Sequence, residues 1–340
     1  MRARMIQMDS EIDYHKLEEP AKELAQGGLV AFPTETVYGL GANALDAAAV
    51  KRIYIAKGRP SDNPLIVHVA AKEAMYPLVE TIPAAAEKVI EAFCPGPITL
   101  VLQKSKLVPD AVTAGGETVA IRIPEHKLAR KLIEMSGVPV AAPSANISGR
   151  PSPTTAAHVA ADLSEQISYI IDGGACRVGL ESTVVDFTVQ PPKILRPGGI
   201  SHEELCSLLG EVEGYAPEDS DVEAPKSPGM KYKHYAPKAE VIVYEGPSCR
   251  AEIIKRVQSI QDKTICVLTA GTTNAYPCTT IDCGDTAEGY AKTLFDALRQ
   301  ADDKAADLIF AEFPFASGGI ATALRNRIYK SCGGNVILCK

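Results

Sequence analysis

Short apolar runs of strand length alternate with helical patterns along the first 210 residues. Asp46 is a predicted N-cap for the helix "AAAVKRIYIAK", which Gly58 ends as a left-handed residue. Ser201 and Glu204 form a predicted capping box for a last helix that ends near Gly210. This alternation predicts a mixed α/β domain. Its predicted strands are "LVAF" (29–32), "PLIVHV" (64–69), "ITLVLQ" (98–103), "TVAIRI" (118–123), "YIID" (169–172), "STVVDF" (182–187) and "KILR" (193–196).

The alternation restarts more regularly at residue 239 and predicts a second, smaller domain. Strands and helices at this spacing are typical of a parallel sheet with helices on its faces. We therefore predict domains at 1–212 and 238–340, joined by a linker at 213–237. The strands of the second domain are "AEVIVY" (239–244), "TICVLT" (264–269), "DLIFAEF" (307–313) and "NVILC" (335–339), and its helices lie at about 248–261, after Asp285 and at 319–329.

The totals narrow the class of protein. With 46% hydrophobic and 23% charged residues, the chain is typical of a globular protein. A formal net charge of −7 argues against a protein that mainly coats nucleic acid. No apolar run approaches the roughly 18 residues that a membrane span needs, and the start lacks the pattern of a secretory signal. We expect a cytoplasmic protein without membrane contact. Its nine cysteines contain no C-x-x-C pair, so they indicate neither a disulfide framework nor a zinc site.

The stretch "FPTETVYGLGANA" (32–44) follows a predicted strand and is rich in hydroxyl groups and glycine. Its G-x-G-x-x-A segment (39–44) imitates a dinucleotide fingerprint. No acidic residue ends a second strand about 20 positions later, however, as ribose binding would need. A loop that presents Thr34, Thr36 and Tyr38 fits better, with glycines that let the backbone approach a ligand. An ordinary polar turn is the alternative.

A second stretch, "AKGRPSDNPLIVHV" (56–69), carries two cations at a helix end. Lys57 and Arg59 there are also what the helix dipole favours, so a capped helix is one interpretation. Two prolines that stiffen the loop, together with Arg59 and Asn63, favour an anion site. His68 lies within an apolar strand, where a histidine is more often a core residue than a functional one.

A third stretch, "AAPSANISGRPSPT" (141–154), follows a short apolar segment and is dense in hydroxyl and amide groups. These groups are either turn residues that bond their own backbone or a ligand site at the carboxyl end of a strand. They are Ser144, Asn146, Ser148 and Ser152.

Two predicted strands contribute one more candidate site residue each. Ser182 begins "STVVDF" and Arg196 ends "KILR". A lone arginine at a strand end is usually solvated, but Arg196 would complete a cationic pocket with Lys57, Arg59 and Arg122. The chain has no P-loop, no G-x-S-x-G elbow, no H-E-x-x-H and no kinase motif set. A nucleotide would therefore be bound by dispersed Lys, Arg, Ser and Asn side chains.

These motifs, in this order, resemble those of the threonylcarbamoyl-AMP synthase family in its longer form. The shared segments are "PTETVYGLG" (33–41), the Lys57 to His68 motif, "PSANISG" (143–149), "ESTVVD" (181–186), "RPG" (196–198) and the linker "SPGMKYKHYAP" (227–237). The resemblance is specific over the first 237 residues and weaker beyond them. It implies a YrdC-like catalytic domain with a twisted mixed sheet, a linker and a small Rossmann-like parallel α/β domain.

The resemblance implies a nucleotidyltransferase that makes threonylcarbamoyl-AMP and pyrophosphate from L-threonine, bicarbonate or CO2, and ATP. The product would supply threonylcarbamoyladenosine modification of tRNA through downstream transfer machinery. Mg²⁺ is expected to accompany ATP, without dedicated protein ligands.

The resemblance also implies roles for individual residues, with Lys57 and Arg59 as the catalytic cations. Arg122 is suited to a bidentate grip on the carboxylate of threonine. The residues implied to hold threonine or its carbamate are Thr36, His68, Arg122, Ala142 and Ser182. Those implied to contact ATP are Arg59, Asn63, Thr118, Ser144, Asn146, Ser152, Arg196 and Tyr235.

Two alternative functions stay open at this point. The first is an RNA-binding module of the same tRNA-modification pathway, against which the acidic total charge counts, so at most weak direct tRNA binding is expected. The second is a carbamoyl-adenylating transferase that serves another acceptor. The sequence lacks the zinc-finger and acylphosphatase-like segments expected beside such an activity.

The basic linker has an interpretation of its own. Lys231, Lys233 and Tyr235 are unusual in a connector, and they fit a lid that closes over a pocket holding phosphates and a labile carbamate. Pro228 and Pro237 would limit its freedom, with Gly229 as a hinge. We predict that this segment becomes ordered when nucleotide binds.

Overall fold

The computed structural model describes residues 2–8, 13–216 and 235–340. By contacts the chain divides into two compact units. The first comprises Met1–Ser148, Ser152–Arg177 and Glu181–Tyr232, and the second comprises Gly149–Pro151, Val178–Leu180 and Lys233–Lys340. The predicted lid residues Pro228, Gly229, Lys231 and Lys233 lie outside the described residues, and the predicted domain boundaries stay a prediction.

Ten strands and seven α-helices make up the described part of the first unit. The strands are β1 (Arg4–Gln7), β2 (Val30–Phe32), β3 (Gly39–Asn43), β4 (Ile66–His68), β5 (Ile98–Gln103), β6 (Thr118–Arg122), β7 (Val140–Ala141), β8 (Tyr169–Asp172), β9 (Thr183–Asp186) and β10 (Lys193–Arg196). The helices are α1 (Glu18–Ala25), α2 (Ala47–Lys57), α3 (Ala84–Phe93), α4 (Asp110–Thr113), α5 (Lys127–Ser136), α6 (Ala156–Leu163) and α7 (His202–Leu209), with 3-10 turns at Tyr14–Leu17 and Lys72–Leu78.

The strands form one mixed sheet in the order β1-β8-β2-β3-β7-β4-β6-β5-β9-β10. Strands β4 and β6 are parallel and place His68 opposite Arg122. Strand β5 is antiparallel to β6 and parallel to β9, and β10 is antiparallel to β9. The predicted mixed-sheet α/β fold is confirmed.

The two faces of the central strands have different surroundings because successive side chains of a strand point to opposite faces. Val67, Leu100 and Ile121 belong to the main hydrophobic core. Their sequence neighbours Ile66, Val101 and Ala120 form a separate small apolar cluster with Val184 and Leu195. His68 and Arg122 lie two positions beyond Ile66 and Ala120 and so share the face of this smaller cluster.

Strand β3 replaces much of what we expected to be a hydroxyl-rich loop, so the loop proper spans only residues 33–38. Glycine is disfavoured in strands, so the glycines of β3 prevent its prediction from the sequence. The structural reason for glycine is close packing. A Cβ on Gly41 would lie 2.7 Å from Cγ1 of Val140 and 2.9 Å from Cε1 of Phe32.

The second unit contains a five-stranded sheet in which every paired strand runs parallel, in the order β13-β12-β14-β11-β15. The predicted parallel sheet is confirmed, with one strand more than the pattern indicated: β13, an exposed edge strand. The elements are β11 (Glu240–Glu245), β12 (Ile265–Thr269), β13 (Thr279–Asp282), β14 (Leu308–Phe313), β15 (Val336–Leu338), α8 (Cys249–Gln258), α9 (Ala287–Asp303) and α10 (Gly319–Cys332). Among the described helices of both units, none has the length and apolar content that crossing a bilayer requires.

Both predicted caps of α2 are confirmed. Asp46 accepts hydrogen bonds from the amides of Ala48 and Ala49 at 2.8 and 3.2 Å. Gly58 ends the helix with φ 59°. Since Lys57 is the last residue of α2, the caps of this helix help to fix the backbone position of Lys57.

We expect Asp46→Ala to lower the free energy of unfolding by about 1 kcal/mol, because two amides at the helix start lose their acceptor. Urea unfolding followed by circular dichroism measures the change. Asp46→Asn is the matched control, since its amide oxygen still accepts a hydrogen bond. An equal loss in both variants would contradict the capping explanation.

Candidate active site

The loop at 33–38 is held by its own hydroxyl groups. Thr34 Oγ1 donates to the carbonyl of Val37 at 2.6 Å and accepts from the amides of Thr36 and Val37 at 3.1 and 3.2 Å. Its Oγ1 also contacts Thr36 Oγ1 at 2.8 Å. Tyr38 donates to the carbonyl of Gly174 at 2.7 Å. Thr34 and Tyr38 therefore shape the loop, while Thr36 stays the candidate for ligand contact.

Lys57 is buried, with 2% of its surface exposed. Its ammonium donates to the carbonyl oxygens of Ser144 and Asn146 at 2.5 Å each, and Asn146 Oδ1 lies at 3.4 Å. The Ser144 hydroxyl in turn donates to Asn146 Oδ1 at 2.6 Å. Lys57 thus holds together the loop that the sequence predicted as a ligand site.

Arg59 and Asn63 lie on the short loop after α2, as predicted. Arg59 Nη2 approaches the carbonyl oxygens of Asn63 and Pro64 at 3.4 and 3.2 Å. Among the described residues, the buried Oδ1 of Asn63 has no hydrogen-bond partner. A buried amide oxygen without a donor is costly, so a ligand with an N–H or O–H group is a natural partner for it.

His68 and Arg122 form the centre of the site, on neighbouring strands. The Arg122 guanidinium donates from Nη2 to Oε1 of Glu35 at 2.7 Å and from Nε to the carbonyl of Gly96 at 3.4 Å. Burial, reinforced by the positive charge of Arg122, lowers the pKa of His68 to about 3. His68 is therefore a neutral imidazole next to a charged guanidinium.

A line of hydroxyl groups continues from Arg122. Strand β5 pairs Leu100 with Ile121 in antiparallel register, which places Thr99 beside Arg122. Thr99 Oγ1 lies 2.7 Å from Ser182 Oγ. Arg196 donates to the carbonyl of Ser182 at 3.0 Å and to its hydroxyl at 3.1 Å.

The other predicted residues occupy several positions in the fold. Ser152 donates to Oε1 of Glu181 at 2.6 Å. Ala142 follows β7, and its amide N–H donates to the carbonyl of Ile66 at 2.9 Å. Thr118 begins β6, on the face that also carries Arg122. Tyr235 belongs to the second unit, where it stacks on Phe295 with ring centroids 5.0 Å apart.

The structure thus groups half of the predicted residues into two networks of the first unit. One runs from His68 through Arg122 and Ser182 to Arg196, and the other joins Lys57, Ser144 and Asn146. The sequence reasoning gave no role to Glu35, Thr99 or Glu181, which bond directly to predicted site residues. Within the described ranges, no group of three or more His, Cys, Asp or Glu side chains converges to hold a metal.

Two family models match this chain. The Sua5/YciO/YrdC family model, described as "Telomere recombination", matches residues 22–198. The model described as "Threonylcarbamoyl-AMP synthase, C-terminal domain" matches residues 200–333. Together the two models cover most of the chain.

Full-length relatives are similar throughout. The threonylcarbamoyl-AMP synthase of Pyrococcus abyssi is 48% identical over 340 residues, which cover 98% of this chain and 98% of the relative. The Bacillus subtilis synthase is 45% identical over 327 residues, covering 95% and 94%. The crystal structure of P. abyssi Sua5 complexed with L-threonine matches with a TM-score of 0.95 at 48% identity, over 99% of this chain and 100% of that chain.

The fold and these relatives define a nucleotidyltransferase-type α/β enzyme. More narrowly, the chain belongs to the threonylcarbamoyl-AMP synthase family. The resemblance found in the sequence motifs is confirmed by both matching family models and by the relatives.

We expect the imidazole of His68 to remain neutral between about pH 5 and 8, the range in which an ordinary histidine changes charge. The reason is burial, which lowers its pKa to about 3. NMR signals of the imidazole, assigned with a His68→Asn variant, should stay constant over this range. His15 is the internal control, because its hydrogen bond to Glu18 raises its pKa and its signals should shift. A titration of His68 near neutral pH would contradict the prediction.

Proposed function

We propose that the protein makes threonylcarbamoyl-AMP and pyrophosphate from L-threonine, bicarbonate or CO2, and ATP. The observation that carries this proposal is its full-length match to P. abyssi Sua5, whose crystal structure is complexed with L-threonine. The product would serve the threonylcarbamoyladenosine modification of tRNA through downstream transfer machinery. The predicted cytoplasmic location stays a prediction.

We assign the amino acid to the network around Arg122. A guanidinium binds a carboxylate through paired hydrogen bonds, and Arg122 lies on the face of the sheet that also carries His68 and Ser182. A neutral His68 adds no positive charge there, so it would contact threonine through hydrogen bonds alone. Thr36 and Ala142 would complete this part of the pocket.

We assign ATP to the loops around Lys57 and to Arg196, which lies next to the hydroxyl group of Ser182. Arg59 and Arg196 would approach the phosphates, and Asn63 Oδ1 would accept a hydrogen bond from the nucleotide. For Lys57, predicted as a catalytic cation, we propose that it acts on ATP by positioning Ser144 and Asn146, because its ammonium donates to the carbonyls of both residues. Thr118, Ser152 and Tyr235 stay predicted ATP contacts.

The chemistry needs charge and positioning more than a strong base. The amine of threonine combines with CO2 to give a carbamate, and the proton lost from its nitrogen passes to solvent. An oxygen of the carbamate then attacks the α-phosphorus of ATP in line with departing pyrophosphate. Fixed cations stabilise the charge that develops on the phosphate oxygens. The carbamate loses CO2 readily in water, so a pocket that excludes solvent favours product formation.

Mg²⁺ enters this proposal as part of the substrate MgATP. Phosphate oxygens and water satisfy most of its preferred octahedral shell. The cations, hydroxyls and amides of the candidate site fit phosphate oxygens that already carry the ion.

The proposal predicts pyrophosphate release that depends on threonine. Incubation of the protein with MgATP, bicarbonate and L-threonine should release pyrophosphate and form threonylcarbamoyl-AMP, identified by mass spectrometry. Reactions with serine or glycine in place of threonine are the matched controls and should release much less. Release that does not depend on threonine would contradict the proposed function.

Two variants separate positioning from direct contact with the phosphates. Arg59→Ala should lower turnover by at least about 100-fold, as losing a charge-stabilising donor typically does, with a smaller loss of stability than Lys57→Met, because its contacts with the carbonyls of Asn63 and Pro64 are longer. Lys57→Met should lower turnover and also destabilise the protein by about 1–3 kcal/mol, because two buried carbonyls lose their donor. Calorimetry and the pyrophosphate assay measure both effects. Wild-type turnover in either variant would refute its assignment.

A further inference from the structure

Glu35 is a buried carboxylate in the middle of the hydroxyl-rich loop, with 3% of its surface exposed. Burying a charge is costly unless it is paired and hydrogen-bonded. Both of its oxygens meet donors: Oε1 accepts from Arg122 Nη2 at 2.7 Å, and Oε2 accepts from the amide of Glu125 at 3.1 Å. The side chain is therefore clamped between a strand end and the following loop.

Only a carboxylate satisfies this arrangement. Two donors approach two different oxygens, and a glutamine would present an NH2 group to one of them. Burial alone would raise the pKa of Glu35, but the charge and hydrogen bond of Arg122 and the amide of Glu125 hold it below its ordinary value. Glu35 is thus ionised, and with Arg122 it forms a pair of zero net charge.

Arg122 keeps binding capacity despite this pair. A guanidinium has five N–H donors, and among the described residues the contacts with Glu35 and Gly96 use two of them. Three donors therefore remain for a ligand. The free edge of the guanidinium offers hydrogen bonds, while the adjacent carboxylate cancels its attraction for additional negative charge.

This balance matters in a pocket that, under the proposed function, holds both an amino acid and several phosphates. A bare arginine would bind a phosphate group more tightly than a carboxylate, because phosphate carries more negative charge. A neutralised arginine loses that preference and keeps its directional donors. The carboxylate of threonine needs only those donors.

We propose that Glu35 positions Arg122 and cancels its charge, so that this subsite accepts the carboxylate of the amino acid and excludes phosphate groups. Glu35 is then a residue that determines specificity and acts through Arg122 without touching the substrate. The inference rests on the proposed function, since it takes threonine as the ligand of Arg122.

The test measures threonine binding by isothermal titration calorimetry on the full chain without ATP, in the presence and absence of inorganic pyrophosphate. In the wild type, pyrophosphate should leave the Kd of threonine unchanged. In Glu35→Gln, pyrophosphate should compete and raise the apparent Kd of threonine by at least about tenfold. The reason is that the interaction between two unit charges a few ångströms apart in a partly buried site changes a binding constant by more than about tenfold. A purely structural role would not create this competition.

Two further variants complete the design. Glu35→Asp keeps the charge and should still exclude pyrophosphate, even if it binds threonine more weakly. Glu312→Gln removes a carboxylate that is buried to the same degree and paired with Arg250 in the second unit. It should lower the melting temperature without making pyrophosphate compete with threonine.

The outcomes separate the inference from the function on which it rests. If the wild type binds no threonine, the proposed function fails. If the wild type binds threonine but pyrophosphate already competes with it, the role of Glu35 is wrong, and this arm requires no variant to fold. Absence of competition in a folded Glu35→Gln, or competition in Glu35→Asp equal to that in Glu35→Gln, would also overturn the inference.

Discussion

Arg122 can remain buried at the end of β6 only because Glu35 meets it. Both side chains are about 5% exposed or less, and removing one partner of such a pair leaves an uncompensated charge inside the protein. The loop at 33–38 is consequently tied to the central strands.

A second buried cation organises the opposite part of the site. Lys57 connects the end of α2 to the loop that carries Ser144 and Asn146. Lys57 thus links the end of a helix to a loop that has little regular structure of its own. Fixed donors and acceptors of this kind cost no reorganisation when a ligand arrives, which is the condition for electrostatic catalysis.

Much of the fold was predictable because its signals are local. Asp46, Gly58 and the capping box of Ser201 are short-range chemistry, and the strands of alternating or continuous apolar residues were predicted nearly at their observed bounds. Strand β3 was not, because Gly41 is required only when Val140 lies against it.

The connections between the residues of the candidate site could not be predicted from the sequence. Glu35 is one acid between two threonines, and its partner lies 87 positions later. The sequence around Lys57 indicates only a cation at a helix end. The carbonyls to which it donates are 87 and 89 positions away. No local pattern encodes such pairs; they follow from the order of strands in the sheet.

A buried carboxylate paired with an arginine does not by itself mark a site, and the second unit shows the contrast: the Arg250 side chain that pairs with Glu312 is 44% exposed. Glu312 is 1% exposed and accepts two hydrogen bonds from Arg250, while its oxygens also accept from Tyr276 and from the amide of Ala270. Arg250 donates further to the carbonyl of Ala270. In that network both oxygens and several donors are committed to the protein, which is the pattern of a structural clamp. In the first unit, Arg122 gives Glu35 a single hydrogen bond, and its contacts with described residues use two of its five donors. Burial of the carboxylate alone therefore does not separate a binding arginine from a structural one.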